Sequence, residues 1–272
     1  MKNFKLSLVL LVLLSFIGTK CFAYDAVVDG IFYNLSGTNA TVTYESYDGI
    51  YYSSSYSGNI TIPASFVYND VTYNVVSIGS YAFYNCSSPL TVIISNGITT
   101  IADGAFQRCT GLTSVTIPSS VTYIGSGAFS DCTSLYSVSI PNSVTTVGDF
   151  AFAGVNLTSM TINKSDCSLM YLWFGYGTSI ENIIIGPNVS SICGEINVAL
   201  GLESIQVDEN NGKYDSRNNC NAIIETATNT LVAGCKTTAI PNDVVAIGKS
   251  AFFECIGMTS ITIPNSVTTI FL

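Results

Sequence analysis

A short phrase recurs along this chain at a fixed spacing and constrains the fold more than any other feature. It is Ala-Phe followed by two variable residues and Cys, and it occurs at 82–86, 105–109, 128–132 and 251–255. The first three copies are 23 residues apart, and Ala151-Phe152 keeps this step. A constant period of this length is typical of solenoids, in which each repeat is one coil that packs only against its neighbours.

The coil at 112–129 shows how one repeat is built. Val115 and Ile117 alternate with small polar residues, which predicts a strand with one buried face, and a proline ends that strand. Val121 and Ile124 predict a second short strand, and we expect the Ala-Phe segment to turn inward as a helical turn. The predicted fold class is therefore a repeat solenoid, mainly β, made of coils of about 23 residues with short strands and Ala-Phe helical turns.

Residues 1–23 have the pattern of a secretory signal peptide. Two lysines begin the segment, an apolar run of 12 residues follows, and small residues precede the expected cleavage after Ala23. Acylation of Cys21 is disfavoured because a lysine directly precedes it. The apolar run is too short to span a bilayer, and we expect no transmembrane segment after cleavage. The predicted location is secreted or on a bacterial cell surface.

The rest of the chain divides by how well it keeps the period. Residues 24–59 do not repeat, and two strands at 27–33 and 41–47 predict an N-terminal β cap. We interpret 60–272 as the solenoid. Its predicted departures are an irregular coil at 163–192, a hairpin insertion at about 208–235 that projects from one coil, and an incomplete last coil at 258–272.

Composition excludes several functions. Six basic and 18 acidic residues follow residue 23, a net charge of −12, which argues against nucleic acid and anionic membranes. The chain has no His and no Cys-x-x-Cys pair, so we expect no metal and no cofactor. Asp208, Glu209 and Asp215 form the one cluster of carboxylates that acid–base catalysis would need, and we interpret it as a solvated loop. The expectation is a protein that is not an enzyme.

The repeated phenylalanines and cysteines predict a core ladder that runs along the stack. One coil has Val155 in the cysteine position, which indicates an apolar packing position and therefore buried thiols. Cys220 and Cys235 flank one insertion and are the better candidates for a disulfide. The predicted ladder consists of Phe83, Phe106, Phe129, Phe152, Phe252, Cys86, Cys109, Cys132 and Cys255.

The outward positions of the main strands are the candidate binding face. They carry small, mostly hydroxyl side chains at Ser114, Thr116, Ser137, Ser139, Ser159 and Thr161, and the same outward positions continue at Ser204, Gln206, Ser260 and Thr262. Partners are usually held by aromatic or Arg anchors, which this face lacks. The candidate aromatic anchors are Tyr171, Trp173, Phe174 and Tyr176, or else Tyr51, Tyr52 and Tyr56, and the alternative for the tryptophan cluster is core filling.

The full repeat phrase Leu-x-x-Val-x-Ile-Pro-x-x-Val-Thr-x-Ile-Gly-x-x-Ala-Phe-x-x-Cys is nearly complete at 112–132 and 135–152. It resembles the BspA-like leucine-rich-repeat family of bacterial cell-surface proteins, and 28–33 and 214–224 resemble other segments of that family. The resemblance implies a surface solenoid with adhesion, co-aggregation or host-protein binding in some members. It supplies no catalytic residues.

Three functional hypotheses follow. The first is a secreted or cell-surface protein that mediates protein–protein or cell-surface adhesion, with an extracellular protein or a surface glycan as partner. The second is a carbohydrate-active enzyme on a parallel β-helix, or a glycan-binding protein, for which the regular coils show no charged cluster. The third is a truncated fragment without function, because the last coil stops at 269–272.

Overall fold

The computed structural model describes residues 21, 22, 24–168, 170–175, 178–192 and 201–271, with only the backbone described at Cys21, Met170 and Tyr171. The predicted signal peptide and its cleavage point lie outside the described residues except for 21 and 22. Within the described part of the chain, helix is confined to two short 3-10 turns, Met170–Trp173 and Arg217–Asn219.

The structure is otherwise built from short strands. The N-terminal strands are β1 (Cys21–Phe22), β2 (Ala26–Val28), β3 (Ile31–Ser36), β4 (Asn39–Val42), β5 (Ser46–Tyr47) and β6 (Tyr52–Ser53). The regular coils contain β7 (Gly58–Ile62), β8 (Ser65–Tyr68), β9 (Val71–Ile78), β10 (Leu90–Ile94), β11 (Thr100–Ile101), β12 (Leu112–Thr116), β13 (Tyr123–Ile124), β14 (Ser137–Ile140), β15 (Thr146–Val147) and β16 (Asn156–Ile162). The C-terminal part contains β17 (Asp166–Cys167), β18 (Ser179–Ile185), β19 (Ser191–Ile192), β20 (Ser204–Val207), β21 (Tyr214–Asp215), β22 (Ala222–Glu225), β23 (Thr230–Gly234), β24 (Ala246–Ile247) and β25 (Thr269–Ile270).

Parallel pairing between successive coils confirms the predicted β solenoid. The main strands pair with the equivalent strand of the next coil, so Val92 lies opposite both Ile60 and Val115. A second row, formed by the C-terminal end of β9 and the two-residue strands β11, β13 and β15, pairs in the same parallel sense. Both rows point alternate side chains inward, and those side chains form one continuous core along the stack.

The main row of strands is divided in two. Strands β7, β10 and β12 form one sheet, and β14, β16, β18 and β20 form another. Among the strands that the structure describes, β12 and β14 are not paired, although they belong to neighbouring coils. The second row continues across this point, since Tyr123 pairs with Thr146. The coils on either side are therefore hydrogen-bonded through the second row of strands but not through a ladder between their main strands.

The Ala-Phe segments form tight turns, where the sequence predicted a turn of helix. The amide of Ala105 donates to Ala102 O at 3.2 Å, but the amide of Phe106 donates to Ala128 O of the next coil at 2.7 Å. Gly104 and Arg108 also have positive φ values of 61° and 57°. Each residue with a positive φ interrupts the helical backbone, so the amide of Phe106 forms a hydrogen bond to the next coil and not within its own turn.

The N-terminal strands continue the second row beyond the first coil. β2, β3 and β4 form an antiparallel meander, and β4 pairs parallel with β9. The single strand predicted at 27–33 is broken by a turn, because Asp29 and Gly30 have φ values of 50° and 79°. The predicted turn at 36–39 joins Ser36 to Asn39 in a two-residue hairpin. The role of residues 24–59 as a cap stays a prediction.

The hairpin predicted to project at 208–235 is instead part of the stack. β22 and β23 pair antiparallel, and β23 pairs parallel with β24 of the next coil. Ile223, Ile224 and Leu231 are fully buried. The prediction of a projecting hairpin was wrong because both strands have apolar residues that pack into the core. The following segment has no strand between 258 and 268 and leaves Ile263 and Ile270 exposed.

No helix in the described ranges has the length and apolar character that crossing a membrane requires.

Candidate functional site

The outward side chains of β12, β14 and β16 lie together on one surface. We call the six predicted residues, Ser114, Thr116, Ser137, Ser139, Ser159 and Thr161, the hydroxyl face. Their neighbours Val115, Val138 and Met160 point inward and are buried. The residues on β12 and β14 are exposed and those on β16 are half-buried. Strand alternation, rather than any special local geometry, positions the face.

A groove of about 490 Å³ follows this face and lies at the break between the two main sheets. All six residues of the hydroxyl face line it, together with Val115, Ile117 and Val138. The groove thus has hydroxyl walls and an apolar floor, and none of its lining residues is charged. Such a surface offers hydrogen-bond donors and acceptors but no group that would perform acid–base or nucleophilic chemistry.

The hydroxyl face is the middle of two longer rows. In chain order, the first row consists of Asn59, Thr91, Ser114, Ser137, Ser159, Asn182 and Ser204. The second row consists of Thr61, Ile93, Thr116, Ser139, Thr161, Ile184 and Gln206. Neither row contains a charge, although the chain is strongly acidic. The outward positions predicted from sequence did not include the row members on β7, β10 and β18. The same polar–apolar alternation in the sequences of these strands could have identified them.

The phenylalanine ladder lies behind this face. Phe83, Phe106, Phe129 and Phe152 are fully buried. Successive ring centroids are 4.7, 5.1 and 5.4 Å apart, and the ring planes are within 14° of parallel. Phe252 does not continue the ladder, because it is half-buried and packs on a second, smaller cluster around Ile224, Leu231 and Val244.

Free thiols are found at six cysteines, namely Cys86, Cys109, Cys132, Cys220, Cys235 and Cys255. Cys86, Cys109 and Cys132 are buried in the main core, whereas Cys255 is half-buried. The thiol pKa of Cys109 is raised, first by its hydrogen bond with Cys86 and then by burial. Burial raises the pKa of Cys132 as well. The thiols of Cys109 and Cys132 therefore stay protonated and act as packing groups.

The disulfide candidate between Cys220 and Cys235 is not formed. The Cys220 thiol donates to Ala222 O at 3.8 Å and packs in the second cluster, whereas Cys235 belongs to the main core and donates to Glu203 O at 3.3 Å. The two side chains lie in different clusters, although both flank the same insertion.

Trp173 and Phe174 were predicted as aromatic anchors with core filling as the alternative, and the structure places both in the main core. Their side chains are 4% and 3% exposed. The amide of Phe152 donates to Trp173 O at 2.9 Å, which is the contact that the amide of Phe129 makes with Ala151 O, so the two residues replace an Ala-Phe pair. Of the other candidates, Tyr56 is also buried, Tyr52 is half-buried and Tyr51 is 61% exposed. The side chain of Tyr171 and all of Tyr176 lie outside the described residues.

The carboxylates at the irregular coil are held apart by separate partners. Asp208 accepts the amide of Asn210 at 2.9 Å, and Asp215 forms an ion pair of 2.7 Å with Arg217. In the described parts of the chain, no group of three or more His, Cys, Asp or Glu side chains has metal-binding geometry.

The comparisons with known proteins agree with this geometry. The protein-family model described as "BspA type Leucine rich repeat region" matches six copies over residues 62–181, 99–224 and 228–271. No curated protein matches the sequence.

Solved bacterial structures share the fold. A leucine-rich repeat protein from Eubacterium ventriosum superposes with a TM-score of 0.55 at 25% identity, over 90% of this chain and 60% of that one. The pneumococcal vaccine antigen PcpA gives a TM-score of 0.55 at 15% identity, over 92% of this chain and 71% of that one. Because the family model matches most of the sequence, this chain belongs to the BspA-type leucine-rich-repeat family.

Proposed function

We propose that the protein acts outside the cell, at a bacterial surface, as a non-catalytic binding protein whose hydroxyl face holds an extracellular protein partner. The observation that carries this proposal is the groove, which collects all six outward hydroxyl side chains over an apolar floor. The signal-peptide pattern at 1–23 supports export.

The proposed mechanism is the sum of many weak contacts over an extended surface. A hydroxyl hydrogen bond contributes only about 0.5–1.5 kcal/mol net, so one coil alone gives little affinity. The two uncharged rows repeat similar contacts along seven strands. Several copies of the protein on one cell would add to the apparent affinity without any new contact. Since the rows carry no charge, we expect partner binding that depends little on salt.

The test is a binding screen of residues 24–272 against immobilised extracellular matrix proteins. We expect Thr116→Glu combined with Ser139→Glu to abolish binding, because both carboxylates would enter the groove and need a desolvated partner. The matched control is Thr110→Glu combined with Thr133→Glu, two exposed threonines in neighbouring coils outside the groove.

Both double variants add the same charge, so a difference between them reports the location of binding. Circular dichroism checks that each remains folded. Equal binding by the two variants, or binding by the groove variant as strong as that of the parent, would contradict the proposal.

A further inference from the structure

Two aromatic residues occupy a backbone conformation that suits glycine. The residue before each Ala-Phe pair is left-handed, and in two coils it is Gly104 or Gly127, both with a φ of 61°. In the flanking coils the same position holds Tyr81 and Phe150, with φ values of 59° and 58°. A bulky side chain at positive φ is strained, and such strain is concentrated at functional sites. Tyr81 is compensated in part by its contacts with Tyr52 and Tyr84, whereas Phe150 is 56% exposed and has little packing to offset the strain.

Tyr81 is part of a stack of tyrosines on this flank of the solenoid. Its ring lies 4.5 Å from that of Tyr52 with planes 10° apart, and Tyr52 lies 4.9 Å from Tyr47 on the other side. Tyr84 stands nearly perpendicular to Tyr81, at 5.9 Å. All four side chains are half-buried, so their outer edges face solvent. Partial burial and then the neighbouring phenols raise the pKa of Tyr52, which keeps its hydroxyl protonated.

Charged groups continue the surface across the next coils. Arg108 Nη1 donates to the Tyr84 hydroxyl at 3.2 Å, and Arg108 Nε is 4.0 Å from Asp131 Oδ2. Both charged side chains are at least half exposed. Phe150 follows in the next coil and is 56% exposed. Tyr81 and Phe150 are three coils apart, roughly 14 Å at the usual strand spacing.

We propose that this tyrosine flank, formed by Tyr47, Tyr52, Tyr81, Tyr84, Arg108, Asp131 and Phe150, binds a neutral oligosaccharide. Sugars present apolar C–H faces, which pack on aromatic rings, and hydroxyls, which both donate and accept hydrogen bonds. The flank supplies the rings, a guanidinium donor, a carboxylate acceptor and phenols that do both. The length between Tyr81 and Phe150 suits a chain of a few sugar units.

The acidic residues near the flank favour a neutral oligosaccharide over an anionic one. Acidic residues are close in sequence to the flank, with Glu45 and Asp48 within two residues of Tyr47, Asp103 directly before the turn glycine Gly104, and Asp149 directly before Phe150. Arg108 is the one cation of the flank among the described residues, and it lies 4.0 Å from Asp131. An anionic glycan would therefore be repelled. Tyr47 and Tyr52 lie on β5 and β6 and the other flank residues on the turn segments, and none of them lines the groove of the hydroxyl face. It is thus a second site, independent of the proposed protein partner.

The experiment titrates the purified chain with cellotetraose, maltotetraose, mannotetraose and chitotetraose by calorimetry. We expect saturable binding of at least one of these probes. Phe150→Gly and Tyr81→Gly should each weaken it by about tenfold or more, because each removes an aromatic contact. Glycine is the residue of the neighbouring coils, so the variants keep the backbone conformation, and the thermal midpoint of Phe150→Gly should equal or exceed that of the parent. Thr116→Glu with Ser139→Glu should leave saccharide affinity within about twofold.

Each other result overturns the proposal. Absence of saturable binding of all four probes by the folded parent would do so. Binding that survives both glycine substitutions would place the saccharide elsewhere. Loss of matrix-protein capture in the glycine variants, without saccharide binding by the parent, would make the flank a protein contact instead.

Discussion

The phenylalanine ladder sets the stability of the regular coils, and Phe129 tests this most directly. Its ring is fully buried between Phe106 at 5.1 Å and Phe152 at 5.4 Å. Replacing a buried Phe by Ala typically costs about 3–5 kcal/mol. Phe129 also loses two stacked partners, each worth about 0.5–1.5 kcal/mol beyond the area that it buries. We therefore expect Phe129→Ala to lower the free energy of unfolding by about 5 kcal/mol.

Phe252→Ala is the matched control, because Phe252 occupies the same place in the repeat phrase but is half-buried outside the ladder. We expect it to cost about 1–2 kcal/mol, in proportion to its smaller buried area. Urea unfolding followed by circular dichroism measures both values. The fluorescence of Trp173, the single tryptophan, adds a local probe, since its carbonyl oxygen accepts the amide of Phe152.

The comparison has a clear contrary outcome. If the two substitutions cost the same within about 1 kcal/mol, stacking along the ladder does not determine stability and the reasoning fails. Phe129→Leu keeps most of the volume and should recover about half of the loss. Equal unfolding curves for the Leu and Ala variants would show that ring volume is not what the position requires.

Three further predictions concern other coils. Gly125→Ala should lower the free energy of unfolding by about 3 kcal/mol or more, because the added Cβ would lie 2.5 Å from a backbone nitrogen of the preceding coil. Gly212→Ala is the control, since its Cβ would enter open space, and it should change the free energy of unfolding by less than about 1 kcal/mol. Arg217→Ala should cost about 1–2 kcal/mol in urea unfolding, because it leaves two carboxylates and an amide oxygen unpaired, whereas Lys236→Ala breaks one surface pair and should cost under about 1 kcal/mol. Burial raises the pKa of Cys255 to about 11 from 9.0. Its stabilising effect is therefore complete below about pH 9 and lost as pH rises towards 11, so Cys255→Ala should reduce the alkaline fall of the urea midpoint.

The regular coils could be predicted from sequence because each position of the repeat has the same environment in every coil. Val115 and Val138 point inward for the same reason, and Phe106 and Phe129 stack because both follow Ala at the same step. A solenoid makes these contacts between neighbours, so the period alone specifies which residues meet. The outward set, from which the hydroxyl face follows, is predicted by the same alternation.

The irregular coils could not be predicted in this way. Trp173 and Phe174 follow a change in spacing, and without the period the sequence does not reveal that they fill the positions of an Ala-Phe pair. The hairpin predicted at about 208–235 is present as β22 and β23, but the burial of these strands depends on β24, which lies in the next coil. The split between β12 and β14 has no signal in two repeats of nearly identical sequence.

The tyrosine flank was only partly visible in sequence. Tyr52 was considered as an anchor, but Tyr81 and Phe150 were not. Their signal is the alignment of repeats, in which they interrupt a position that Gly104 and Gly127 otherwise occupy. A left-handed backbone explains the glycines, and only the structure shows that the aromatic residues accept the same φ.

The break between β12 and β14 has a consequence for the geometry of the groove. At this junction the second row of strands is paired, whereas β12 and β14 share no ladder. Val115 and Val138 still pack in one core, so side-chain packing holds the two main strands next to each other here. The spacing of the hydroxyl side chains across the groove is therefore set by the volume of these core residues and not by a fixed hydrogen-bond register.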